Sequence, residues 1–319
     1  MKNIWMSMQN VLLAFVVFFG ANSCLAQSGN FKLEKIGDGV WAAIVHDSGK
    51  AGGNAGFVVG DDGIAVIDTF EDAGAAREFL AAIRQISSLP IRFVVNTHYH
   101  IDHVAGNGVF AGAGAVVFAH RNVRAWLRTE NLKFWDDAIK PEDKAKVEAL
   151  KLPDVVYDDH LELYLGKRLL EVRFLPGHTG GDSVVYVPDA RVLFCGDLLW
   201  KDHVPNLVDA STDKWIATLD LLSKEYAGST FVPGHGGVAN PNDVTIFKDY
   251  LANLRATVAK AQGEAKSDDS LVNAILPSLK AKYGTWGFWD DYAKTNILQT
   301  GQELAGHKRV PQPARPDIP

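Results

Sequence analysis

Cysteine is nearly absent from this chain: two among 319 residues, Cys24 and Cys195. Loss of a leader containing Cys24 would leave Cys195 alone, and one cysteine cannot form an intramolecular disulfide. Cys195 ends a short apolar run and reads as a small buried apolar residue. An excess of positive charge is absent too. Lys and Arg total 32 against 38 Asp and Glu, a net charge of −6. A nucleic-acid partner, which needs a basic surface over its phosphates, is therefore not expected. No tract is of low complexity, and no fixed period repeats in the letters.

The apolar stretch Val11–Gly20 is too short for a membrane span of about 20 residues. It follows a start made weakly positive by Lys2 and precedes Cys24-Leu25-Ala26, which offers small residues to a signal peptidase. Residues 1–26 are read as a signal peptide cleaved before Gln27. An uncleaved anchor and a lipid-modified Cys24 are the alternatives. The mature protein is expected in the periplasm or outside the cell, without stable membrane association.

What the chain does have is a dense set of metal-competent side chains. His98-Tyr99-His100-Ile101-Asp102-His103 follows the strand-like run 91–96. Three further signals recur at what read as loop positions: Pro176-Gly177-His178-Thr179, Cys195-Gly196-Asp197 and Pro233-Gly234-His235-Gly236. In extended backbone alternate residues share a face, so His98 and His100 can chelate one ion. Asp102 and His103 can turn toward a second. His178 would complete the first site, His235 the second, with Asp197 between them. Neutral imidazole and carboxylate are good zinc donors. A zinc pair ionises water near neutral pH and polarises a carbonyl.

This pattern resembles the metallo-β-lactamase superfamily of hydrolases over roughly residues 35–240. The resemblance implies an α/β fold, an αββα sandwich with two metals at one edge of its sheets. It also implies that Asp68, in the run 64–69, is a carboxylate behind the ligands that orients them. Three segments are expected: the signal peptide 1–26, the sandwich 27–240, and a helical extension 241–319 packed on the same domain.

The lettering supports that division. Residues 31–68 read as strands separated by glycine-rich turns, 73–86 as an amphipathic helix, and 91–96 and 115–119 as strands. Residues 121–150 read as helices over or beside the site, with Trp135 a possible substrate contact. Strands are expected at 161–165, 168–175, 183–187, 191–195 and 230–232. Helices are expected at 212–226, 242–264, 268–283 and up to about Leu304, followed by a proline-rich end expected to be loose.

The segment Asp197 to Ala210 bears on substrate. Secreted members of the family carry a similar stretch, in which a lysine binds the substrate carboxylate and an asparagine aids the oxyanion. Lys201 and Asn206 are the matching residues, although Lys201 falls one position late and Trp200 takes its place. The family's secreted β-lactamases use cysteine where this chain has Asp197, and a bridging aspartate is more like glyoxalase II and the lactonases. The expected activity is thus a two-zinc, β-lactamase-like hydrolase of a small molecule, with Asp102 as proton carrier. The alternatives are a periplasmic lactonase, esterase or thioesterase and an iron-dependent persulfide dioxygenase.

Overall fold

In the computed structural model, residues 28–46, 48–133 and 139–314 are described. The expected signal peptide, with Cys24, and the expected contact Trp135 lie outside them. Among the described residues no helix is long and apolar enough to cross a membrane.

The chain builds two sheets. The first holds β1 (Phe31–Gly37), β2 (Val40–Val45), β3 (Ala55–Val59), β4 (Ile64–Ile67), β5 (Ile91–Val95), β6 (Val116–His120) and β7 (Val155–Tyr157), in that spatial order. Its first four strands are antiparallel, and β4 to β7 run parallel. The second runs β12-β11-β10-β9-β8, from β8 (His160–Leu165), β9 (Arg168–Phe174), β10 (Ser183–Val187), β11 (Val192–Trp200) and β12 (Thr230–His235). Val58, Ala65, Ile67 and Val95 of the first sheet form one buried cluster with Leu165, Val172, Val185 and Phe194 of the second. That shared cluster is the seam between two packed sheets.

Helices cover both outer faces. Helix α1 (Ala73–Ile86) starts at Asp72, whose carboxylate accepts from the N–H groups of Gly74 and Ala75 at 2.7 and 3.1 Å, satisfying donors the first turn leaves free. It buries Phe79 and Ile83 against the first sheet. Short helices α2 (Ile101–Val104), α3 (Asn107–Gly112), α4 (Arg121–Trp126), α5 (Thr129–Lys133) and α6 (Pro141–Glu148) follow on that side. The second sheet is covered by α7 (Thr212–Glu225), α8 (Pro241–Gln262), α9 (Asp268–Tyr283) and α10 (Trp289–Leu304). Leu219, Phe247, Ile275 and Ile297, one from each of these helices, share a buried cluster with Leu193 of β11. The layers are α, β, β, α, as the resemblance implied.

Three expectations need correcting. Strand β5 stops at Val95, so His98 and His100 ride a connection and Asp102 and His103 a helical turn, α2. Asp197 and His235 are not on loops: β11 continues through Asp197 to Trp200, and β12 ends at His235. The strands are irregular there, with pairing shifts either side of Gly196, and Gly196 takes φ +50°, a bulge that suits glycine. Finally, the tail is docked up to Ala314, while residues 315–319 of the proline-rich end lie outside the described residues. Lys308 Nζ donates to the carbonyls of Leu207 and Ala210 at 2.6 and 2.5 Å. The Gln312 carbonyl accepts from Trp126 Nε1 at 2.8 Å, and Ala314 N–H donates to Asn122 Oδ1 at 2.8 Å. Strand β7 carries too short an apolar run to stand out in the sequence.

Candidate metal centre

The ends of β5, β11 and β12 and the turn after β9 converge on one edge of the sandwich. They bring together all seven residues expected as ligands. His98, His100, His178 and Asp197 form one group and Asp102, His103 and His235 another, each with one donor atom per residue within 4.8 Å of the others. Asp197 stands between them. Its Oδ2 lies 3.2 Å from His178 Nε2 and 3.6 Å from His98 Nε2, while its Oδ1 lies 3.1 Å from His103 Nε2 and 3.5 Å from His235 Nε2. Asp102 Oδ2 is 3.3 Å from both His103 Nε2 and His235 Nε2. Donors about 2.1 Å from a tetrahedral ion stand roughly 3.4 Å apart, so these separations suit a shared cation.

The buried atoms support the same reading. His98 Nε2, His103 Nε2, His235 Nε2 and Asp197 Oδ1 are shielded from solvent and have no hydrogen-bond partner among the described residues. Four orphaned polar atoms in one place are costly, and a cation facing them would remove that cost. Burial works against charge on Asp197, but His235, His103, His98 and His178 together hold its carboxyl well below the usual carboxylate range. Asp102, also opposed by burial, is held down by His103 and His235. Both carboxylates therefore present anionic oxygens to the cluster at neutral pH. Gly234 is required beside them, since a Cβ there would fall on Asp197 Oδ1.

Behind the ligands, Asp68 Oδ2 lies 3.0 Å from His103 Nδ1 and accepts from Thr97 Oγ1–H at 2.7 Å, while Oδ1 accepts the Thr97 N–H at 2.8 Å. Asp68 holds φ at +57°, a costly conformation for a non-glycine residue. Two supports escaped the sequence reading. Asp209 Oδ2 accepts from Tyr99 O–H and stands 3.5 Å from His100 Nε2, leaving His100 Nδ1 to face His178 Nε2 at 2.9 Å. Asp182 accepts from the N–H and hydroxyl of Thr179 at 2.7 and 2.5 Å and fixes the turn that carries His178. Burial pushes its carboxyl up to about 8.

The cluster opens into a cleft of about 740 Å³. Asn206 lines it, with Oδ1 accepting from Val208 N–H at 2.9 Å. Lys201 is not brought there. Its Nζ donates to the Val238 carbonyl at 3.0 Å and pairs with Asp243 Oδ2 at 3.2 Å, at the start of α8. Trp200 faces the cleft instead, its ring stacked 3.9 Å from that of His235.

Residues 48–235 match the family model described as the metallo-beta-lactamase superfamily. The chain belongs to the metallo-β-lactamase superfamily, and with it to the metallo-hydrolases. It is 22% identical to a linear primary-alkylsulfatase of Pseudomonas sp. (strain ATCC 19151) over 273 residues, 70% of this chain and 52% of that protein. Among solved structures, a metallo-beta-lactamase from Pontibacter korlensis aligns with TM-score 0.59 and 25% identity, covering 70% of this chain and 99% of that one. The sec-alkylsulfatase Pisa1 from Pseudomonas sp. aligns with TM-score 0.68 and 18% identity over 86% of this chain and 50% of its own. The chain thus spans about half the length of these alkylsulfatases.

Proposed function

We propose that this chain is a two-zinc hydrolase of a small, uncharged carboxylic ester or lactone. The observation that carries it is Asp197, whose two oxygens each face a separate group of histidines. Such a carboxylate is suited to hold two ions side by side. A bound pair would supply Lewis acidity toward a carbonyl oxygen and a nucleophile already ionised at neutral pH.

The remaining work falls to the chain's own residues. Asp68 fixes His103 in one ring orientation, and Asp209 does so for His100. Asp102, whose side chain is 22% exposed, engages its ligand neighbours through Oδ2. Its Oδ1 is left to accept a proton from the nucleophile and return it to the departing alkoxide. The Asn206 amide, oriented by Val208 N–H, leaves its NH₂ group to donate to a developing oxyanion.

The cleft argues for an uncharged substrate. No Lys or Arg lines it among the described residues. A β-lactam carries a carboxylate, and an alkyl sulfate, the class named for two relatives, carries a full negative charge; Lys201 is committed to Asp243 and would anchor neither. The apolar run at Val11–Gly20, with Cys24-Leu25-Ala26 after it, supports a periplasmic or secreted location.

Metal analysis of the purified mature chain, with lactone, ester, thioester, lactam and alkyl sulfate substrates, tests the reading. Close to two zinc equivalents and turnover of neutral esters or lactones are expected. One equivalent of metal, preferential turnover of the anionic substrates, or iron binding with oxygen uptake on a persulfide would overturn it.

A further inference from the structure

In the segment Trp286-Gly287-Phe288-Trp289, unassigned by the sequence, Gly287 and Phe288 line the cleft from the helical extension while the two tryptophans pack into the core beneath it. The segment is pinned by backbone bonds to the residues that follow β11: Gly287 N–H to the Asp202 carbonyl at 2.9 Å and Val204 N–H to the Gly287 carbonyl at 2.8 Å. A Cβ at Gly287 would fall on the His203 ring, so that approach needs glycine. Pinned in this way, Phe288 holds φ at +57° and remains 38% exposed. A bulky residue in the left-handed region is strained, and strain of this kind is retained where a site needs it. The Phe288 ring centroid lies 5.6 Å from that of His235, 5.9 Å from that of Trp200 and 5.9 Å from that of Tyr292. A large apolar side chain is thus held open to the cleft beside a candidate ligand.

Glu71 stands on the same cleft. Its carboxylate is seated against Gly52, where a Cβ would lie 2.8 Å from Oε2 and 2.6 Å from the Asp102 Cβ. Burial, and then the nearby Asp102 and Asp72 carboxylates, push its carboxyl up from the usual range, while His103 and His235 hold it down. Among the described residues no Lys or Arg lines the cleft, so the Glu71 carboxylate, with Asp102 adding to its field, disfavours an anionic substituent that enters beside it.

We propose that Phe288 and Glu71 select the non-reacting arm of the substrate: Phe288 seats an aryl or alkyl group, and Glu71 rejects an anionic one. This rests on the ester reading for the reaction that it serves, but the selection itself is a property of binding. It therefore extends to molecules the site cannot cleave.

The test uses isothermal titration of the zinc-loaded full chain with two hydrolysis-inert aryl ketones, in which CH₂ replaces the ester oxygen. One carries a para-methyl group and the other a para-sulfonate, a poor metal ligand. The methyl compound should bind about tenfold more tightly than the sulfonate. Phe288→Asn, which removes the ring while tolerating the left-handed backbone, should weaken the methyl compound about fivefold, the scale of one aromatic contact. Its unfolding midpoint should stay near that of the parent. Glu71→Gln should strengthen the sulfonate about fivefold, one charge interaction at high dielectric, and leave the methyl compound unchanged. Equal affinity of Phe288→Asn and parent for the methyl compound, or an unmoved sulfonate-to-methyl ratio in Glu71→Gln, overturns the proposal. Selective binding without turnover of the corresponding esters would sink the hydrolase reading and leave the selection standing.

Discussion

Asp68 grips His103 at the ring nitrogen turned away from the other candidate ligands, Oδ2 to Nδ1 at 3.0 Å. Both Asp68 oxygens also accept from Thr97, one from its N–H and one from its hydroxyl. An asparagine would have to point its NH₂ group at one of those donors in either orientation. Asp68→Asn should therefore loosen His103 and weaken zinc binding at the Asp102, His103 and His235 group by roughly 10- to 100-fold. A chelator-competition titration resolves the two sites. Unchanged affinity for both ions would show that the contact does not orient the ligand.

Asp197 is a second point of leverage. It is buried and faces four histidines. Asp197→Ala removes the shared anion and leaves imidazoles facing one another, so at least one zinc equivalent and most activity should be lost. Metal content by mass spectrometry decides it, since a variant that still holds two zinc equivalents would overturn the proposed bridging role of Asp197. Asp197→Cys keeps an anionic donor with one coordinating atom and should retain more metal than the alanine variant.

Lys201 should matter for stability and little for catalysis. Its amine bridges Val238 and Asp243 in a partly buried setting. Lys201→Ala should cost about 1 kcal/mol and lower Tm by roughly 1–2 °C in a chain of this size, with kcat/KM for a neutral ester within about twofold of the parent. A large rise in KM would instead place the amine on the substrate.

The ligand set was legible because each member sits in a short motif: His98-Tyr99-His100-Ile101-Asp102-His103, then single residues beside glycine. The architecture followed from strand and helix periodicity, and α1 falls on its expected residues. The direction of Lys201 was not legible, although its cause is simple. Strand β11 continues to Trp200, whose ring faces His235, and alternation along an extended chain turns the next residue the other way. Asp209 stood in view in Asn206-Leu207-Val208-Asp209-Ala210, but its partner Tyr99 is 110 positions away, and only the fold brings the two together. The tail up to Ala314 was misjudged for the same reason: proline content signals looseness, whereas the bonds from Lys308, Gln312 and Ala314 depend on partners far back in the chain.

That docked tail gives a pH test. Burial pushes the Lys308 ammonium down from 10.5 to about 8, while its Nζ bonds the Leu207 and Ala210 carbonyls, either side of Asp209. Between about pH 8 and 10.5 the unfolded chain holds a proton at this site that the folded chain has released. Stability from this residue therefore rises with pH across that window, because the unfolded state binds more protons there. Lys308→Met cannot titrate. The Tm of the parent minus that of the variant should therefore increase from pH 8 to pH 10, and show no Lys308 contribution to its slope below pH 7. The variant also leaves two carbonyls without their donor, which frees the loop bearing Asn206 and Asp209. Its kcat should fall several-fold at pH 7 while zinc content stays near the parent value. A Tm difference that is flat from pH 8 to 10 would show that Lys308 titrates as a solvated lysine, and an unchanged kcat would show that the tail does not hold the loop.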